Sequence, residues 1–227
     1  MKISILSMFP EMLSSLECSP IVKHAITSKT LELEIIDIKK YAKGSFRHID
    51  DSPYGGGAGM IIRYDVLHEA LSSIRDEDSF VVLPIPAGLP YKQVNAHEYT
   101  KKEHLILIAG HYEGVDARIY EECDALISMG DYIVSSGEYA CMMIADSVVR
   151  LLPGVIKEES IENESFEHGL LEHPQYTKPY EYNGKKVPDI LLSGNHQAIK
   201  EYQKNASIEW TKKYRKDLYK NDHTNEV

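Results

Sequence analysis

The stretch HLILIAGHYEGVD, residues 104–116, decides the fold. Leu105-Ile106-Leu107-Ile108 is apolar at every position, so a strand here has no polar face to turn to water and must be covered on both sides. Gly110 and Gly114 then bracket a loop that carries Tyr112 and Glu113, with Asp116 just beyond. Four more short β-rich stretches, 3–7, 33–38, 80–85 and 125–129, join 104–109 as predicted strands. They alternate with helix-length stretches at 11–29, 64–78, 91–102 and 137–152. Such alternation over the first 155 residues predicts βαβ units and an α/β domain built on a parallel sheet. Ligands of these sheets bind at loops beyond the strand C-termini. The loops after the fourth and fifth strands are rich in glycine, which makes them the first candidates for a site.

Composition bounds the rest. The 227 residues are 43% hydrophobic and 26% charged, with a formal net charge of −10. That apolar content builds a core and excludes a disordered chain. No apolar run approaches the roughly 20 residues of a membrane span, and Met1-Lys2-Ile3-Ser4-Ile5 lacks the layout of a signal peptide. A cytoplasmic protein without a membrane partner is expected. Cys18, Cys123 and Cys141 form no CxxC pair and the ten histidines no HExxH motif, so idle thiols and no metal site are predicted. The acidic balance argues against coating nucleic acid by bulk charge. The charge is uneven, however. Residues 157–172 hold six glutamates against one lysine, whereas 199–220 hold seven Lys or Arg against three Asp or Glu. Lys39, Lys40, Lys43 and Arg47 add a second basic cluster. The α/β pattern stops at Pro153-Gly154, which divides the chain into a domain over 1–156, a solvated linker over 157–172 and a small, mainly helical domain over 173–227.

Three glycine-containing loops are candidates for chemistry. Pro53-Tyr54-Gly55-Gly56-Gly57-Ala58-Gly59-Met60 lacks the Lys-Ser/Thr of a phosphate-binding P-loop and the context of a dinucleotide fold. On spacing alone it reads equally as a substrate-contact loop or a surface turn. Residues 109–116 follow the most apolar strand, and 128–138 lead from a strand into a helix whose N-terminus Ser135 or Ser136 caps, with Glu138 favourably in the first turn. Each alone is a strand-to-helix connector. Together, on neighbouring elements, they point to a shared small-molecule pocket.

The segments SMFPEM (7–12), DDSPYGGGAGM (50–60), AGHYEGVD (109–116), MGDYIVSSGE (129–138), IADSVVRLLPGV (144–155), ESFEHGLLEHPQYTKP (164–179) and VPDILLSGNH (187–196) resemble, in order and spacing, the bacterial tRNA (guanine-N1)-methyltransferase family of the SPOUT class. The resemblance covers the chain from end to end apart from a short C-terminus. It implies a parallel-sheet domain with a deep trefoil knot, which topology rules alone treat as a rare exception. It further implies S-adenosylmethionine bound in the knot loops 83–88, 109–114 and 127–140. The implied contacts are Leu83, Pro84, Pro86 and Gly88 in the first, Gly110, Tyr112, Glu113 and Gly114 in the second, and Ser128, Met129, Gly130, Tyr132, Val134, Ser136, Gly137 and Ala140 in the third. Asp50, Gly55, Gly56, Gly59, Ser165 and Tyr176 become substrate contacts. A homodimer with its active site at the subunit interface, tRNA as partner and Mg2+ as an accessory ion complete what the family implies, although no carboxylate cluster marks a metal site.

The implied product is 1-methylguanine at position 37, immediately 3′ of the anticodon. N1 of guanine carries a proton that a carboxylate removes, while a cation near O6 stabilises the developing charge. By position these roles fall to Glu164 and Arg150. Taken alone, Glu164 is one of six linker glutamates and Arg150 a helix-end cation. The family has Asp at the base position; Glu extends the reach by about 1.5 Å, one C–C bond. Ile85-Pro86-Ala87-Gly88 stands where the family reads Ser-Pro-Gln-Gly, and Val134-Ser135-Ser136-Gly137-Glu138-Tyr139-Ala140 where it reads Leu-Ser-Gly-Gly-Glu-Leu-Pro. These departures keep two alternatives in play, a divergent methyltransferase with another substrate and an RNA-binding homologue with weakened catalysis.

Overall fold

The computed structural model describes residues 1–44 and 48–222. Arg47, counted above in the basic cluster near the glycine loop, lies outside the described residues. The chain divides into two compact units, Met1–Ile156 and Lys157–Val227.

The first unit is an α/β domain. Its elements are β1 (Lys2–Ser7), α1 (Ser14–Cys18), α2 (Pro20–Thr27), β2 (Glu32–Asp37), β3 (Asp50–Asp51), β4 (Ile61–Ile62), α3 (Tyr64–Ser72), β5 (Ser79–Pro90), α4 (Gln93–Tyr99), β6 (His104–Ile108), β7 (Ala125–Ser128) and α5 (Gly137–Val149). Five strands pair in the order β2-β1-β6-β5-β7, every pair parallel. The apolar run at 105–108 forms β6, the central strand, and all five of its residues are buried. Side chains alternate between the faces with period two. Ile3, Ile5, Val82, Leu105 and Leu107 pack on one side with the buried residues of α1, α2, α4 and α5. Leu6, Val81, Leu83, Ile106 and Ile108 pack on the other with α3 and the short 3-10 turns at 38–41 and 117–122. Both faces are covered, as a parallel sheet requires.

Two elements differ from the sequence expectation. The single helix expected over 11–29 is broken into a 3-10 turn, Pro10–Leu13, and the helices α1 and α2. Pro20 disfavours helical backbone at the residue before it, and Ser19 is extended, with φ −58° and ψ 128°. The third strand, expected over 80–85, runs on to Pro90. Three prolines fit in it because β5 pairs with β6 only as far as Val82; beyond that its partner is β7 alone, with a register shift between Pro84 and Leu89.

The second unit holds a one-turn helix α6 (Glu158–Ile161), a hairpin of β8 (Glu181–Tyr182) and β9 (Lys185–Lys186), and the helices α7 (His196–Tyr214) and α8 (Lys216–Asp222). Asn183-Gly184, both at positive φ, turn the hairpin. Asn195 caps α7 by accepting from Ala198 N–H at 3.2 Å. The stretch read as a solvated linker does not stay free along its length: Leu171 N–H donates to Thr211 Oγ1 at 3.0 Å, and Ser207 Oγ donates to Leu171 O at 2.5 Å. Thr211 is fully buried by this packing on α7.

Candidate functional site

The C-terminal ends of β5, β6 and β7 open into a cleft of about 550 Å³, closed on one side by the N-terminus of α5. That volume lies in the range of small-molecule sites. Its walls are the tail of β5 at 84–87 and two of the three glycine loops, those at 109–116 and 128–138. After β6 the chain turns at Gly110, whose carbonyl accepts from Gly137 N–H at 2.8 Å, and a β-bridge joins His111 to Ser136. A Cβ on Gly137 would lie 2.5 Å from Gly110 N and 2.6 Å from Gly110 O, so the two loops meet backbone to backbone. Ser136 caps α5, its Oγ accepting from Glu138 N–H at 3.3 Å.

The glycine loop at 53–60 reaches the same wall from outside. Glu113 N–H donates to Met60 O at 3.1 Å, Ile62 N–H to Gly114 O at 3.0 Å and Asp116 N–H to Ile62 O at 3.0 Å. Gly59, at φ +83°, lies so close to the Glu113 carboxyl that a Cβ would fall 2.5–2.9 Å from it. Burial, together with the Asp50 carboxylate that accepts from its phenol, raises the pKa of Tyr112 and keeps the hydroxyl protonated. His111 Nδ1 accepts from Tyr112 N–H at 2.9 Å.

Of the cofactor contacts expected from sequence, Pro84, Pro86, Gly110, Tyr112, Glu113, Gly114, Ser128, Met129, Gly130, Tyr132, Val134, Ser136, Gly137 and Ala140 line this cleft. Leu83 and Gly88 do not. Leu83 is fully buried in the core beneath the sheet. Gly88 lies against the backbone of Leu126 and Ile127, where a Cβ would collide with β7. Asp50 and Gly59 sit beside Tyr112 and Glu113, whereas Gly55 and Gly56 occupy the open part of their loop. Arg150 immediately follows α5 and is its C-cap. Glu164, Ser165 and Tyr176 belong to the second unit. There Glu164 is half-buried while its neighbours Glu162 and Asn163 are exposed, and Ser165 Oγ accepts from Glu172 N–H at 3.0 Å.

Sequence reading missed several lining residues, including Ile127, Ile133, Tyr139 and Met143. Tyr139, Ala140 and Met143 recur at helical spacing on α5, opposite the buried Cys141, Ile144, Ala145 and Val148. That 3–4 residue spacing is the signal that would have found Tyr139 and Met143 beside the expected Ala140. Burial pushes the Cys123 thiol up to about 12 and the Cys141 thiol higher still, which makes poor nucleophiles of both. Among the described residues, no group of three His, Cys, Asp or Glu side chains is placed to hold a metal ion. Nor is any described helix long and apolar enough to cross a membrane.

Comparison with known proteins follows the same outline. The sequence profile described as tRNA (Guanine-1)-methyltransferase TrmD matches residues 1–221. A protein of Malacoplasma penetrans (strain HF-2) named tRNA (guanine-N(1)-)-methyltransferase is 46% identical over 219 residues, 96% of this chain and 97% of the relative. One of the same name from Listeria innocua serovar 6a is 45% identical over 227 residues, covering 97% and 93% of the two chains. Another from Mycoplasma capricolum is 44% identical over 219 residues, 96% and 91% of each.

Proposed function

Since the chain belongs to the tRNA (Guanine-1)-methyltransferase TrmD family, we propose that it methylates N1 of guanine in tRNA, at position 37 beside the anticodon, with S-adenosylmethionine as donor. The observation that carries this reading is the cleft at the ends of β5, β6 and β7. Its size suits a nucleoside with an amino-acid tail, and the backbone contact of Gly137 with Gly110 holds two of its walls together. Pro86, Ile127 and Val134 offer apolar walls for a purine, and Glu113 a carboxylate for a cationic group. When bound, S-adenosylmethionine supplies an electrophilic methyl group on a sulfonium. Mg2+ finds no support here: the described residues hold no cluster of three His, Cys, Asp or Glu side chains.

The chain's own residues then handle the proton and the charge. Glu164 takes the N1 proton as general base, and Arg150 stabilises the negative charge that moves toward O6. A homodimer is supported by the exposed apolar rim of the cleft, Tyr132, Ile133, Val134, Tyr139 and Met143. A knotted topology is supported by the family match over residues 1–221. Lys39 and Lys40 on the first unit and Lys200, Lys204, Lys213 and Lys216 on α7 and α8 offer tRNA phosphates local positive charge despite the net acidity, whereas Lys43 and Lys212 are paired with Glu69 and Glu209. The substrate places the activity in the cytoplasm. The altered cofactor loop does not favour the divergent reading, because Ser136 is used as the cap of α5 and Ala140 still faces the cleft.

The test is methyl transfer to tRNA transcripts carrying G or A at position 37, with mass-spectrometric location of the product. Transfer to G37 alone is expected, and transfer elsewhere overturns the assignment. Glu164→Gln is expected to lower kcat by on the order of 100-fold. Undiminished transfer by that variant removes Glu164 from the role of base.

A further inference from the structure

One fully buried ionisable side chain has no part in this chemistry. Glu138 has no exposed surface, yet it lies in the first turn of α5, directly behind the cleft wall. A carboxyl group pays a large desolvation cost at such a place unless its oxygens accept hydrogen bonds. Both do. Ser7 Oγ donates to Oε1 at 2.5 Å, and Ser136 Oγ donates to Oε2. Each serine is itself fixed: Ser7 Oγ accepts from Phe9 N–H at 2.8 Å, and Ser136 Oγ from Glu138 N–H at 3.3 Å. No buried side-chain polar atom among the described residues lacks a partner.

This is more than helix capping, for which Ser136 suffices. The carboxylate ties the start of α5 to the end of β1, 131 residues away in sequence. Phe9, whose N–H is held by Ser7, packs its ring 4.8 Å from that of His111. His111, Ser136 and Gly137 all line the cleft. Glu138 therefore sits where the wall after β6, the wall before α5 and the end of β1 converge.

We propose that Glu138 is a positioning residue for the methyl donor, its carboxylate setting the spacing of the two walls between which the donor binds. The proposal rests on reading the cleft as the S-adenosylmethionine site. Losing the acceptor frees two buried hydroxyls and lets the Ser136–Gly137 backbone relax away from Gly110, so the preorganisation of the cleft is lost before the donor arrives. The chemistry of proton removal at guanine is untouched.

Calorimetric titration of S-adenosylmethionine into the full-length protein, without tRNA, separates the two layers. If the unsubstituted protein does not bind, the cofactor reading itself falls. If it binds, Glu138→Leu is expected to weaken affinity and raise KM for the donor by about tenfold or more, with kcat at saturating donor and KM for tRNA nearly unchanged. Glu138→Gln keeps the length and one acceptor oxygen and should remain within about threefold of the unsubstituted protein. Should Glu138→Leu fail to fold, Ser7→Ala, which cuts the tie to β1 while leaving the helix cap, takes its place and is expected to raise the donor KM severalfold. Unchanged donor affinity in Glu138→Leu or Ser7→Ala overturns the proposal. So does a loss that falls on kcat alone, or a Glu138→Gln variant as impaired as Glu138→Leu.

Discussion

Gly137 has no room for a methyl group. A Cβ there would lie 2.5 Å from Gly110 N, and backbone, unlike the end of a flexible side chain, does not swing aside. Gly137→Ala is therefore expected to destabilise the protein by about 1–3 kcal/mol, as overpacked sites do, and to weaken S-adenosylmethionine binding as well. Urea unfolding and calorimetric titration check the two effects. Stability and affinity both equal to the unsubstituted protein would refute the contact. The glycines of the motif were visible in the sequence, but which one stands against which was not, because that depends on two loops 27 residues apart meeting. Glu138 makes the same point more sharply. Its place in the first turn of a helix, where the helix dipole favours it, was legible from Ser136 onward. Its burial is set by Ser7, which no local pattern connects to it. The glutamate at 164 is read from family position alone, since Glu167 and Glu172 are half-buried as it is.

Strands were the most legible elements, because continuous apolar runs leave few alternatives. β6 has every residue buried and occupies the centre of the sheet, while β2 at the edge keeps all of its residues partly or fully exposed. Leu107→Ala, at a fully buried position of β6, should cost about 2–5 kcal/mol in unfolding free energy. Leu33→Ala on β2 should cost clearly less, and comparison of the two urea midpoints tests the ordering. Equal losses would contradict the placement of β6 inside and β2 outside. Element ends were less legible. The break at Ser19 was written in Pro20, whose ring biases the preceding residue away from the helix. The extension of β5 to Pro90 was not: its prolines argue against a strand unless it is known that only β7 lies alongside them.

At the scale of the whole molecule, charge decides behaviour in acid. Hydrogen bonds from Lys2, Arg63, Arg118 and Arg215 hold the carboxyls of Glu34, Asp65, Asp116 and Asp217 below their ordinary values. A carboxyl depressed in the folded state contributes stability above its unfolded pKa and loses it as the pH falls through the folded one. These pairs are largely exposed, so each is worth little alone, and the effect is their sum. Tm should therefore drop as the pH falls below about 4, and Lys2→Met should remove the part due to Glu34. Scanning calorimetry across that range measures both, and a Tm that holds steady into acid would contradict the assignment. Length, apolar runs and glycine placement were enough for a parallel α/β domain and for a cleft at the strand C-termini, since burial on both faces and backbone freedom in loops are written locally. The family motifs further identified the chemistry. Only the tertiary structure shows that the Leu83 side chain lies in the core and Gly88 against the backbone of β7, that Tyr139 and Met143 face the cleft, and that Glu138 is buried between two serines. Each of these depends on which distant backbone lies within a few ångströms of a residue. That is settled by how the sheet and its loops close on one another, not by neighbours in sequence.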